Sequence, residues 1–491
     1  MNKYLKFLFI ILLILMFLLA IYYIFVYNSN KIVYDNNPLV QKQMIFENEI
    51  KDNLKKNKYS IDDANVYINP YNISPLSALI TFASNEKGKI MVTVKGKNND
   101  DLIKEYDLNK YNYIPIYGLY ENYNNTVEIV FPSGIKKSFI IKTEEITNKP
   151  QASILVSNAN LISDSFYFLS SNQLNKTYAY DRNGELRWFI DNTYNKIIGL
   201  DNGNFLICNS EYVYEINIIG KIINYYKIDD SFIDFDVINE NILYLSKKTY
   251  DEIKEFNIVE ARIDGISNKI NLLEILISID SDFITNMQND FFDGCIIKYY
   301  DKTNDILLIN PEKSYIIDFD YNRETIKWII SKRNVFSDVF SSFVLNIDED
   351  EQFEILNAYL DNNTIAVIGK DYLSIPNYDI IGIYSDSYDI NIYEKKYEIN
   401  NNKKLIFKSS TILNNEYINY RFADYSNNAL LLGEVYGFSI PFFNQFQLDN
   451  DYYTIVSEKE DNIEIFKMTF KNTTNSMIKI NFNNLNCELS F

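Results

Sequence analysis

The feature that most constrains the fold is a loose repeat: an apolar strand, a short polar turn, then a second apolar strand. It occurs at Tyr180-Asp181-Arg182-Asn183-Gly184-Glu185-Leu186-Arg187-Trp188 and again at Glu215–Ile222, Arg262–Gly265, Phe319–Trp328, Tyr397–Asn402 and Thr469–Thr473. With Asp181, Asn217, Asp264, Asp320, Asn400 and Lys471 as marks, the early intervals of 36, 47 and 56 residues bracket the ~40–50 residues of a four-stranded blade. The later intervals are longer and read as insertions. Six units predict an all-β, six-bladed β-propeller over 151–491, with five or seven blades as the alternatives. Trp188 and Trp328 fall in blade strands, where core packing is the first reading.

Upstream, 61–147 carries short β-branched and aromatic runs separated by Asn, Gly and Pro turns: Ala78–Phe82, Lys89–Val94, Thr126–Phe131 and Ser138–Ile141. This length and spacing predict a small β-sandwich. Asn148-Lys149-Pro150 reads as a linker. Residues 29–60 are a polar linker in which Val40, Met44, Ile45 and Ile50 recur near helical spacing and predict a short helix. Residues 1–28 hold an uncharged apolar run, Phe7–Tyr27, behind Lys3 and Lys6. At ~1.5 Å per residue it can cross a hydrocarbon core of ~30 Å. The lysines before it and Tyr22, Tyr23 and Tyr27 at its far end predict an uncleaved transmembrane helix in the inner membrane. The rival, a cleaved signal peptide, should show a small-x-small site, and none follows Ala20. Either reading places the rest on the periplasmic or extracytoplasmic side.

The chain has 491 residues and no histidine. Imidazole is the side chain whose unperturbed pKa lies nearest neutrality, so the usual proton shuttle is missing. A Ser–His–Asp triad is excluded. A net charge of −19 disfavours nucleic acid as a partner. Cys208, Cys295 and Cys487 lie far apart without a CxxC, which predicts three unpaired thiols, one long-range disulfide being the alternative. Two acidic clusters, Asp229/Asp230/Asp234/Asp236 and Asp348/Glu349/Asp350/Glu351, could hold calcium or form an acid–base pair. No Gly-centred loop accompanies them, so solvated strand ends are the preferred reading. No phosphate-cradling glycine motif stands out, and neither a cofactor nor a metal is expected.

Several segments carry a family resemblance. They are Asn69-Pro70-Tyr71-Asn72-Ile73-Ser74-Pro75-Leu76-Ser77-Ala78, Val92–Lys97, Ile114-Pro115-Ile116-Tyr117-Gly118-Leu119-Tyr120, and the following Tyr123, Asn125 and Val127. This series resembles the N-terminal domain of the bacterial arylsulfate sulfotransferases. Asp181–Trp188 looks like that family's first-blade turn, and Asp320–Trp328 resembles a later blade; the resemblance spans most of 60–480. It implies a sandwich-plus-propeller protein outside the cytoplasm, a homodimer, and transfer of a sulfuryl group from an aryl sulfate to a phenol. The family reaction passes through a sulfated histidine, with further histidines and an arginine on the sulfuryl oxygens.

Carried over by the resemblance, the paired-histidine positions fall near Ser231 and Phe232. The histidine–asparagine pair falls at Asp293 and Cys295, the arginine at Pro311, and the nucleophile at Ile355 or a neighbour. Lys313 is the one nearby cation expected to attract a sulfate ester. The expectation is a catalytically degenerate member acting as a binding or scaffold propeller, with a ligand in its funnel. The alternative is an active sulfotransferase with a non-histidine nucleophile such as Lys313 or a tyrosine.

Overall fold

Strands dominate the computed structural model. It describes all residues except 1–36, 98–99, 148–164, 172–175, 182, 192–196, 210, 229–230, 251–252, 284–290, 332–334, 346–353, 362–363, 373–389, 400–404, 413–430, 434–441, 445–446, 449–450, 461, 471–475, 482–483, 488 and 490–491. The expected span Phe7–Tyr27 and the linker at 148–150 lie outside the described residues. Among the described residues no helix is long and apolar enough to cross a membrane. The chain divides into two compact units, Met1–Asn53 and Leu54–Phe491.

The predicted helix near 40–50 is α1 (Pro38–Asn57). Asn37 caps it, its Oδ1 accepting from the amides of Leu39 and Val40 at 3.0 and 3.4 Å. Lys55 and Lys56 in the last turn suit the negative end of the helix dipole.

In the second unit seven strands come first: β1 (Asn65–Ile68), β2 (Ala78–Ala83), β3 (Lys89–Val94), β4 (Leu102–Asp107), β5 (Tyr111–Ile116), β6 (Asn124–Val130) and β7 (Lys136–Lys142). They make two antiparallel sheets, β1-β2-β5 and β4-β3-β6-β7. Alternation sets their faces: β6 reads buried at Asn125, Val127 and Ile129 with more exposed residues between. Phe82 of the first sheet meets Phe131, just past β6 of the second, edge to face at 5.7 Å.

The rest is a series of four-stranded antiparallel sheets. The strands are β8 (Ser165–Ser171), β9 (Lys176–Tyr180) and β10 (Leu186–Asp191); β11 (Ile197–Gly199), β12 (Phe205–Cys208), β13 (Tyr212–Ile216) and β14 (Ile222–Lys227); β15 (Ser231–Ile238), β16 (Asn241–Tyr250), β17 (Ile253–Arg262) and β18 (Gly265–Asn271). Then follow β19 (Ile296–Tyr300), β20 (Asp305–Asn310), β21 (Tyr315–Asp320) and β22 (Thr325–Ser331); β23 (Glu354–Asp361), β24 (Thr364–Tyr372), β25 (Ile390–Ile399) and β26 (Leu405–Ile412). Last are β27 (Leu431–Gly433), β28 (Phe442–Asn444), β29 (Gln447–Leu448), β30 (Asp451–Glu460), β31 (Asn462–Phe470) and β32 (Ser476–Asn481). Strands β11–β14, β15–β18, β19–β22 and β23–β26 each form one sheet in chain order. The first sheet runs β10-β9-β8-β32, so its fourth strand comes from the far end of the chain. The remaining strands pair as β27-β28 and β29-β30-β31.

Successive sheets share apolar clusters. Leu206 and Val213 pack with Phe235 and Tyr244; Leu243 and Ile258 with Ile306 and Phe319; Leu307 and Trp328 with Leu360 and Ile365. A sheet covered on both faces needs continuous apolar runs rather than alternation, which is why every residue of β12 and β20 is buried.

Among the described residues an α-helix interrupts this series where the sequence shows almost no helical period. Leu272–Ile279 (α2) is almost wholly apolar, and Asn271 Oδ1 caps it by accepting from the amides of Leu273 and Glu274 at 3.0 and 3.4 Å. The three cysteines are free and buried, so the long-range disulfide does not form.

The seven-stranded part and the first sheets interlock. Buried Arg187 donates through Nε to Gly118 O at 2.8 Å and through Nη1 to Tyr120 Oη at 3.0 Å, its guanidinium 3.9 Å from the Tyr120 ring centroid. Gly220 has φ +84°, and a Cβ there would stand 2.9 Å from Ile73 Cβ; only glycine allows both the turn and this approach.

Candidate functional site

The positions carried over by resemblance lie on three neighbouring sheets at corresponding places. Ser231 and Phe232 open β15; Asp293 and Cys295 immediately precede β19; Ile355 is the second residue of β23. Strands β15, β19 and β23 each lead their sheet. The β20–β21 turn, with Pro311 and Lys313, returns to the end where β19 begins, because Asn310 pairs with Tyr315 and Ile309 with Ile296.

Hydrogen bonds join most of these positions. The β15–β16 hairpin turns on Asn239 and Glu240, both at positive φ (46° and 68°), the signature of a tight two-residue turn. Its register, after a bulge between Phe232 and Asp234, sets Lys247 opposite Ser231. Lys247 Nζ then bonds both Asp293 carboxylate oxygens at 2.7 Å. Gly294, at φ +71°, turns the chain beside Glu312: a Cβ there would lie 3.4 Å from Glu312 Oε1.

Asn310, fully buried, is the staple beneath. Its Nδ2 donates to Phe291 O and Asp293 O, both at 3.0 Å, and its Oδ1 accepts from Lys313 N at 2.8 Å. Ser314 (φ 57°) carries the connection onward, its Oγ accepting from Ile355 N at 2.8 Å.

The chemistry of the individual groups is restrictive. Cys295 Sγ lies 3.3 Å from Tyr315 Oη and 3.5 Å from Asn310 Nδ2, and burial pushes its thiol up to about 12. Tyr315 stacks on Phe291 at 4.8 Å and donates to Phe291 O at 2.7 Å; burial raises its phenol well above the usual range. A thiol and a phenol held neutral are poor nucleophiles. Ile355 is buried and apolar. Phe232 packs on Phe235 and Tyr244 at 5.8 and 6.4 Å and serves the core. Among the described residues no group of three or more metal-ligating side chains gathers.

Two residues at this edge escaped the sequence reading. Lys247 is legible only through the hairpin register, since Asn239-Glu240 is a turn and the residues facing each other across it can be counted. Asn310 directly precedes Pro311, yet nothing in the local sequence shows that its amide bridges two segments.

The acidic cluster needs a correction. Asp234 and Asp236 are not solvated strand ends. They lie within β15, where Asp234 Oδ2 accepts from Ile297 N at 3.0 Å and Asp236 Oδ2 from Tyr299 N at 2.8 Å. Leading strands have an edge without a backbone partner, and these carboxylates supply the missing acceptors. On β19, buried Lys298 repeats the device toward β23, donating to Asn357 Oδ1 at 2.6 Å and Ala358 O at 2.9 Å. Asp229, Asp230 and the cluster from Asp348 to Glu351 lie outside the described residues.

Comparison with known proteins accords with this frame. The arylsulfotransferase Ig-like domain model matches residues 65–148, and the arylsulfotransferase (ASST) model matches 151–359. The chain belongs to the arylsulfotransferase family. It is similar to the arylsulfate sulfotransferase AssT of Lelliottia amnigena, at 21% identity over 257 residues, covering 38% of this chain and 43% of that protein. A second relative, AssT of Escherichia coli O6:H1, is 20% identical over 235 residues, covering 34% of this chain and 39% of that one. The match thus spans less than half the length of either relative. Among solved structures, BamB from Moraxella catarrhalis aligns over 70% of this chain and 91% of its own at 10% identity and TM-score 0.26. Apo AztD from Citrobacter koseri aligns over 78% and 99% at 5% identity and TM-score 0.29. Such scores bear neither on fold detail nor on function.

Proposed function

We propose that this chain is a catalytically degenerate arylsulfotransferase-family protein that binds a ligand or partner rather than transferring sulfate. The observation that carries the reading is the edge where the family positions converge. It offers an ammonium already paired with a carboxylate, a buried neutral thiol, a proline and a buried isoleucine. With no histidine anywhere in the chain, it lacks the imidazole through which the family reaction passes. The Asp293 carboxylate also opposes a sulfate ester at the position where a cationic or neutral donor is required.

The frame we infer is a β-sandwich over 61–147 and a six-bladed propeller over 151–491. Five four-stranded sheets support it, together with the β27–β31 strands as a sixth unit. The pairing of β32 with β8 supports it further, since a closed ring needs its last strand to complete its first sheet. We place it on the extracytoplasmic side of the membrane, held by Phe7–Tyr27, on the strength of that segment's length and flanks. The test is transfer of sulfate from a chromogenic aryl sulfate to phenol by the purified full chain, beside a histidine-containing family member. Background-level activity with a working control is expected; turnover clearly above background would overturn the reading.

A further inference from the structure

The sheet β19–β22 buries a charge cluster away from its β20–β21 turn. Asp305 opens β20, Asp318 lies in β21, and Lys327 sits in the irregularity where β22 pairs with β21. Lys327 Nζ bonds both Asp305 oxygens, at 2.9 and 2.7 Å, and stays 3.9 Å from Asp318 Oδ2. Asp318 is fully buried, and neither of its carboxyl oxygens has a hydrogen-bond partner. A buried carboxylate without donors is a costly species, whereas a carboxylic acid at the same place is not. The Asp305 and Asp320 carboxylates favour its proton and the Lys327 ammonium opposes it, while buried Lys298, opposite Leu307 in the same cross-strand row, donates to Asn357 Oδ1 and Ala358 O. Its cross-strand neighbours Leu307 and Trp328 pack on β23–β26, whose β25 carries Tyr397 and Lys395 on the side of Val367.

We propose that Asp318 is a proton-holding site: one lysine is committed to Asp305, so Asp318 stays a neutral acid in the folded protein and makes this sheet sensitive to pH. Burial first, and then the Asp305 carboxylate, push its pKa up to about 8. The sign follows from linkage. The folded state keeps a proton that the unfolded chain releases near the ordinary aspartate value, so stability from this group is greatest at low pH and falls as pH rises to about 8. Above that the contribution levels off.

The test compares the full chain with Asp318→Asn, whose amide mimics the neutral acid. Between pH of about 5 and 7.5 the unfolding constant of the native chain should rise about tenfold per pH unit relative to the variant. Identical pH profiles would overturn the proposal. Infrared spectroscopy gives an independent readout that needs no variant to fold. A protonated-carboxyl band at pH 6 that bleaches by pH 9 is expected, and absence of that band would overturn it. In Asp305→Asn, Lys327 becomes available to Asp318, and the band should bleach at lower pH; an unchanged or higher bleaching pH would contradict the assignment.

Discussion

The turn at Asp181–Trp188 and the turn at Asp320–Trp328 are two copies of one sequence unit, and they handle their buried charge in opposite ways. Each ends in a cation followed by tryptophan, at Arg187-Trp188 and Lys327-Trp328, where the register shifts by a bulge. In the first copy Asp181 takes three donors: the amides of Asn183 and Glu185 through Oδ1, at 2.9 and 3.0 Å, and Arg187 Nη1 through Oδ2 at 2.8 Å. The guanidinium also donates through Nε to Gly118 O, and the same Nη1 reaches Tyr120 Oη, so one residue ties the sheet to the seven-stranded part. In the second copy the single ammonium of Lys327 serves Asp305, and Asp318 is left with no donor. The repeat fixes where the cation stands, and each cation serves one buried acid; the second copy buries two acids, so Asp318 is left over.

Breaking the first copy should have the largest effect. Arg187→Ala strands the buried Asp181 carboxylate and should cost about 3–5 kcal/mol in urea unfolding, with Arg187→Lys recovering only part. A loss under about 1 kcal/mol would show that the two copies are energetically alike. Asn310→Ala removes the hydrogen bonds to Phe291 O, Asp293 O and Lys313 N beneath the site and should cost about 2–3 kcal/mol by the same measurement. Asp236→Ala leaves the Tyr299 amide without its acceptor; about 1–2 kcal/mol is expected, with faster hydrogen exchange at that amide. The smallest effect belongs to Asp293→Asn. Its ion pair with Lys247 is partly exposed, with side-chain exposures of 40% and 22%, so under about 1 kcal/mol is expected, and less at high salt.

The sequence carries the strand-rich frame well. The run Lys89–Val94 is a strand with those bounds, and the units around Asp181 and Asp320 are strand–turn–strand as their polarity pattern requires. Local pattern fails where a side chain's role is set across strands. Asp234 and Asp236 look like surface charge because carboxylates in a row usually are, yet they answer an edge that only the packing of β15 beside β19 creates. Lys247 becomes a site residue through hairpin register, and Asn310 through contacts at a distance of many residues along the chain. Leu272–Ile279 is apolar enough for either a strand or a helix, and the Asn271 cap decides.

Under the proposed function, the family frame persists here without the family's covalent chemistry. The most direct test is intact-mass analysis of the full chain after incubation with an aryl sulfate, beside a histidine-containing relative trapped in the same way. An unmodified mass is expected for this chain and a sulfated adduct for the relative. A stoichiometric sulfated adduct on this chain would contradict it and would reveal, by peptide mapping, the nucleophile that replaced histidine.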